Sequence, residues 1–157
     1  MALNYITGPT GSGKSTICSE LQRMGYTAYD TDNDGFRKIE KIKGRELKVL
    51  DLELIKQLKY RHNNEVAYVC GTSPNDLDAV DYFDNIFLLN INKEEQKKRI
   101  KNRTNSKYGK EDYQLANALR WRQVQIKKYQ KAGAVVIDST QPIETIINSM
   151  LGYIPVK

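Results

Sequence analysis

Hydrophobic and polar positions follow two alternating rhythms along the chain. The apolar run "LNYIT" (Leu3 to Thr7) stops at a glycine-rich stretch, "GPTGSGKST". Ile17, Leu21 and Met24 then recur at helical spacing, and Gly25 ends that helix. "YTAYD" reads as a second strand, and Leu47, Leu50, Leu54 and Leu58 form one helical stripe. "EVAYVCG" is a third strand, nearly continuously apolar, as a parallel strand covered on both faces should be. "NIFLLNI" is a fourth, followed by a polar helix, "NKEEQKKRIKNR". Leu115, Leu119, Ile126 and Tyr129 give the next helix one apolar face, with Trp121 off the stripe. "AVVID" is the fifth strand. Ile143, Ile146, Ile147, Met150 and Leu151 mark a final amphipathic helix with Pro142 at its start. Strands that alternate with helices predict an α/β fold: about five parallel strands with helices on both faces.

Composition narrows this picture without changing it. A chain of 157 residues suits a single domain, 1–157, with one core. Charged residues make up 28% and hydrophobic residues 39%, an ordinary soluble mixture. No apolar run reaches the length of a membrane span and no basic-then-apolar leader opens the chain, so no membrane partner is expected. Cys18 and Cys70 fall in core segments, which favours buried thiols over a disulfide and makes a cytoplasmic setting the default. The single histidine, His62, lies in a polar stretch with no evident partner, which argues against a catalytic cysteine. The net charge of +6 is uneven: Lys93 to Lys131 holds thirteen Lys/Arg against four Asp/Glu. Such a block closes over a polyphosphate, binds nucleic acid, or is a solvated helix face.

The glycine-rich stretch favours the first. Gly8 to Ser15 has the spacing G-x-x-x-x-G-K-S, and it follows a strand and opens an amphipathic helix, as a P-loop must. Gly8, Gly11, Ser12 and Gly13 let backbone N–H groups turn inward toward phosphates. The helix that begins near Lys14 aims its positive end at the anion. Lys14 reaches the terminal phosphates, Ser15 offers a hydroxyl to Mg²⁺, and Thr16 lies toward the α-phosphate. The fold class is thus a P-loop NTPase three-layer sandwich.

Which P-loop protein depends on the rest. A GTPase would carry N-K-x-D, and "INKEE" has Glu where Asp is needed. A large motor needs more chain. After the second strand, "YDTDNDGFRK" places Asp30, Asp32 and Asp34 at the carboxyl edge of the sheet, beside the P-loop. Clustered carboxylates suit a Mg²⁺ shell and a general base for an attacking hydroxyl. Asp30 takes the metal side; Asp32 is the first choice for the acceptor hydroxyl and Asp34 the next. The competing reading is a hydrated acidic turn.

At this point "GPTGSGKS", "YDTDND", "CGTSPN", "RIKNRTNSKYGK" and "IDSTQP" together resemble small P-loop kinases of the shikimate kinase, gluconate kinase and adenylate kinase group. The nearest likeness is to small bacterial "AAA domain" kinase-like proteins, and it covers nearly the whole chain. The resemblance implies ATP and Mg²⁺ as cofactors and a small-molecule phosphate acceptor as partner. It implies that Arg103, in a lid at about 103–112, contacts the transferring phosphate with help from Lys110. It implies that Arg99 stacks near adenine, with Thr140, Gln141 and Pro142 packed beside the base. Gly71, Thr72, Ser73 and Asn75 would line the acceptor pocket with Asp32, Asp34 and Arg37. The glycine triplet of shikimate kinases is absent and no carboxylate-binding arginine set is evident beyond Arg37 and Arg45, so shikimate itself is disfavoured.

The reading at this stage is an ATP-dependent kinase for a nucleoside, nucleotide or similar metabolite, as monomer or homodimer. One alternative is a nucleic-acid 5′-end kinase, since "DNDGFR" loosely resembles the D-D-x-R stretch of polynucleotide kinases. Another is a nucleotide-binding regulatory module with weak ATPase activity.

Overall fold

A computed structural model describes residues 2–62, 64–102 and 112–153. The expected lid, with Arg103 and Lys110, and the side chain of Trp121 lie outside the described residues. Five parallel strands form one sheet in the order β2-β5-β1-β6-β7. They are β1 (Leu3–Thr7), β2 (Thr27–Asp30), β5 (Ala67–Cys70), β6 (Asn85–Asn90) and β7 (Val135–Asp138). All five coincide with the strands read from the sequence. The helices are α1 (Lys14–Arg23), α2 (Leu52–Arg61), α3 (Lys93–Asn102), α4 (Asp112–Lys131) and α5 (Ile143–Leu151), and a 3-10 helix spans Asp76–Tyr82.

Strand alternation divides the core into two layers. Tyr5, Val69, Ile86 and Leu88 pack on one face with Ile55, Leu58 and Tyr129 from α2 and α4. Ile6, Tyr68, Cys70, Phe87 and Leu89 pack on the other with Ile17, Leu21, Ile146 and Met150 from α1 and α5. Both faces being covered explains why the strands are apolar throughout rather than alternating.

Two expectations are corrected. The leucine stripe is not one helix. Leu47 and Leu50 belong to β4 (Arg45–Leu50), which pairs antiparallel with β3 (Arg37–Ile42); only Leu54 and Leu58 sit on α2. Asp51 breaks the pattern by capping α2, accepting from Glu53 N at 3.2 Å and Leu54 N at 3.4 Å. The hairpin closes through Lys43 (φ 50°) and Gly44 (φ 77°), two left-handed residues that match the twist of a two-residue turn. Met24 is also not core: it follows the last turn of α1 and is exposed.

Candidate functional site

All five parallel strands deliver their carboxyl ends to one edge, where a cleft of about 1540 Å³ opens. Its phosphate side is the loop between β1 and α1. Gly11 (φ 85°) and Gly13 (φ 97°) both adopt left-handed backbone. Gly8 is required for a different reason: a Cβ there would lie 2.6 Å from Ser12 Oγ and 2.8 Å from the Leu89 carbonyl. The first turn of α1 has no side-chain cap and no acidic residue, so its N–H groups face the cleft as an anion site. Lys14, Ser15 and Thr16 line that cleft. Lys14 Nζ donates to the Gly8 carbonyl at 2.6 Å and the Pro9 carbonyl at 3.1 Å.

The opposite side of the cleft is held by side chains. Asp30 accepts from Asp32 N at 2.9 Å and from Asn33 Nδ2 at 3.1 Å, and Asp34 accepts from Asp30 N at 2.7 Å. These bonds fold the acidic cluster into one compact turn. Asp30 and Asp32 line the cleft; Asp34 closes the turn behind them. Asp32 pairs with Arg37 at 2.9 Å, and Arg37 also donates to the Thr72 carbonyl. Thr72 Oγ1 donates to the Gly8 carbonyl at 2.9 Å, the same oxygen that receives Lys14. A single P-loop carbonyl thus ties the two sides together.

The turn after β5 packs tightly against the acidic turn. A Cβ on Gly71 would fall 1.9 Å from Thr31 Oγ1. Ser73, in the same turn, is buried. Asn75 is not directed at the cleft: its amide accepts from Leu50 N at 2.8 Å and donates to Leu50 O at 2.9 Å, anchoring the root of the hairpin.

Between α3, the P-loop and the turn after β7, Arg99 bridges elements instead of lying free. It donates to Ser139 O at 2.9 Å, Ser12 O at 3.4 Å and Glu95 at 3.3 Å. Gln141 lines the cleft. Thr140 turns back on Asp138, donating from N at 2.9 Å and from Oγ1 at 2.6 Å, and Pro142 caps α5. The Thr140 hydrogen bonds hold the Asp138 carboxyl below its usual range.

Several cleft residues escaped the sequence reading. Asn117, Arg120 and Val124 face the cleft from α4, and Ile143 from α5. The available signal was their i, i+3, i+7 spacing beside the apolar stripe. His62 does have partners: its Nε2 lies 2.7 Å from the Tyr29 hydroxyl, and its Nδ1 meets Glu65. Cys18 and Cys70 are buried free thiols. Cys70 is pushed well up, first by its hydrogen bond with Cys18 and then by burial, which makes it a poor nucleophile.

The family model described as "AAA domain", AAA_18, matches residues 5–130. The chain belongs to the AAA_18 family. No curated protein matches the chain. Among solved structures, it resembles a deoxyadenosine kinase from M. mycoides with bound dATP at 19% identity and TM-score 0.57, covering 96% of this chain and 97% of that one. It resembles a shikimate kinase from Acinetobacter baumannii in complex with shikimate at 15% identity and TM-score 0.62, covering 96% and 93%. A gluconokinase from Sinorhizobium meliloti 1021 matches at 14% identity and TM-score 0.57, covering 96% and 89%. At these identities the shared property is the fold, a P-loop kinase-like sheet in AAA_18 form.

Proposed function

We propose that this AAA_18 protein is an ATP-dependent phosphotransferase that moves the γ-phosphate to a hydroxyl or phosphate oxygen of a nucleoside, nucleotide or similar metabolite. The observation that carries the reading is one cleft shared by two unlike walls. An uncapped helix N-terminus with Lys14 forms one, and the Asp32–Arg37 pair forms the other. The P-loop geometry fits a triphosphate: left-handed glycines, unspent N–H groups and a lysine at the loop mouth. Ser15 and Asp30 supply oxygen donors on the cleft wall, the kind and number that suit a Mg²⁺ held mostly by water and phosphate. Bound there, Mg²⁺ would neutralise charge on the phosphate oxygens.

The chain's own residues then have distinct work. Backbone N–H groups of the loop and Lys14 bind the terminal phosphates and stabilise charge on the transferring group. Asp32 orients the acceptor hydroxyl and takes its proton. Arg37 holds Asp32 and closes the acceptor side against Thr72. Arg120, a cation on the cleft wall of α4, faces the phosphate path, and the resemblance assigns the same task to Arg103. Val124 and Ile143 offer exposed apolar surface beside Gln141 and Arg99, which suits a flat base.

Mg²⁺-dependent ADP release, measured with ATP and pooled acceptors, tests this. The pools are nucleosides, nucleoside monophosphates, sugar acids, shikimate and a 5′-hydroxyl oligonucleotide. Stimulation by one pool is expected. ATP binding with no stimulation from any pool would overturn the reading in favour of a regulatory module.

A further inference from the structure

Beyond Arg37 at its root, the β3–β4 hairpin has no role in the chemistry above, and its composition is lopsided. Arg37 to Leu50 holds six Lys/Arg against two Asp/Glu. The two strands pair only with each other, so the hairpin stands as an arm beside the parallel sheet. It leaves the body at the acceptor side of the cleft. Arg37 lines the cleft at its base, Asp51 N donates to the Phe36 carbonyl at 2.8 Å, and Asn75 pins Leu50.

Register decides which residues continue the cleft wall. Side chains alternate along each strand, and directly paired residues share a face. Arg37 pairs with Leu50, Ile39 with Lys48, and Lys41 with Glu46. Ile39, Lys41, Lys48 and Glu46 therefore share the face that carries Arg37, which lines the cleft, and Leu50, which is buried in the core. Lys41 and Lys48 are exposed, and Ile39, paired with Lys48 and next to Lys41 on the same face, is 67% exposed. At the base of this strip, the Nε of Arg37 is buried and makes no hydrogen bond among the described residues. A closed pocket for a small neutral acceptor needs none of this. Lys48 and Lys41 beside the apolar Ile39, with Glu46 the one acidic residue among the paired positions of this face, suit a chain of phosphates that carries bases.

We propose that the acceptor is the 5′-hydroxyl end of a single-stranded nucleic acid, whose trailing phosphates run along the Arg37–Lys48–Lys41 face of the hairpin. The inference rests on the phosphotransferase reading above and replaces its free nucleoside or nucleotide acceptor with the 5′ end of a chain. In the transfer, the 5′-hydroxyl oxygen bonds to the γ-phosphorus. The bond from that phosphorus to the β,γ-bridging oxygen breaks, ADP leaves with the electron pair, and the hydroxyl proton passes to Asp32.

The test is a length series with the full chain and Mg²⁺-ATP. Acceptors are thymidine, thymidine 3′-phosphate, and the 5′-hydroxyl dinucleotide and octanucleotide of thymidine. KM is expected to fall from thymidine to the two acceptors with one phosphate and again to the octanucleotide, by roughly tenfold or more across the series at low salt, and the gain should shrink as salt rises. In Lys41→Gln/Lys48→Gln, the ratio of thymidine KM to octanucleotide KM should collapse most of the way to one. A ratio that survives the double variant overturns the proposal. So does a flat series with thymidine turning over, which would leave the hairpin lysines as guards against edge pairing. Transfer to a sugar acid alone overturns this inference and keeps the phosphotransferase reading. ATP binding without transfer to any acceptor overturns both.

Discussion

On the phosphate side of the cleft, position is set by the main chain. Gly11 and Gly13 turn the loop, Gly8 lies against β6, and the first turn of α1 presents its own N–H groups. On the acceptor side, position is set by side chains that reach between distant segments. Arg37 from the hairpin meets Asp32 from the acidic turn and Thr72 from the β5 turn, and Asn75 holds the hairpin root. The two walls touch at the Gly8 carbonyl, which accepts from Lys14 and from Thr72. On the proposed function, a wall made of backbone would serve any nucleoside triphosphate, while a wall made of side chains could be rebuilt for a new acceptor by a few substitutions.

Lys14→Ala is the strongest break of this comparison. It removes the lysine charge from the backbone wall. We expect kcat to fall at least ~100-fold with every acceptor alike, because the lost interaction is made to the transferring group. The fold should persist, since Lys14 lies outside both core clusters and its side chain reaches the Gly8 and Pro9 carbonyls of the loop. Steady-state turnover and a thermal melt check this together. Near-normal turnover would remove Lys14 from the chemistry.

Gly71→Ala sharpens the contrast from the other wall. The added methyl would sit 1.9 Å from Thr31 Oγ1, so the β5 turn and the acidic turn must part. Overpacking of this kind costs about 1–3 kcal/mol. The shift moves Thr72 relative to Asp32, so the acceptor KM should rise more than the ATP KM. Denaturant unfolding and paired KM measurements read both effects. Equal rises in the two KM values would mean that the walls move as one body.

Much of this was legible in the sequence for a physical reason. A P-loop is a local object: its glycines, lysine and serine lie within one short stretch, and spacing reveals it. The five parallel strands were legible because strands covered on both faces are apolar without interruption, as in "EVAYVCG". The hairpin was not. Leu47, Leu50, Leu54 and Leu58 fit a helical period by coincidence, and the turn at Lys43–Gly44 lacks the Asn or Asp that usually marks such a reversal. Asn75 was read toward the acceptor because its partner, Leu50, is 25 residues away and apolar, and its amide bonds only the main chain there. Arg120 was hidden because its role depends on how α4 crosses the cleft, which no local pattern encodes.

The smallest expected effect concerns a charge buried behind the acceptor wall. Asp76 is 2% exposed, accepts a hydrogen bond from the Tyr129 hydroxyl, and donates from its N–H to the Ser73 carbonyl at 3.3 Å. Burial pushes its carboxyl up, and Tyr129, Tyr5, the Ser73 backbone and Arg37 pull it part of the way back. A raised value means that the folded protein holds this proton more tightly than the unfolded chain does. Its contribution to stability is therefore fully present below the ordinary aspartate range and is lost as pH rises through the raised value. Glu20 and Asp138 are shifted down and act in the opposite sense, so the net profile of the wild type mixes both. Asp76→Asn removes one sign only. The stability of the variant relative to wild type should grow as pH rises from the carboxylate range toward neutrality, read as the difference between urea midpoints. Parallel profiles would show that Asp76 ionises as easily folded as unfolded. The side-chain wall would then tolerate a buried charge at no cost, and the acceptor side would be less tightly packed than its hydrogen bonds indicate.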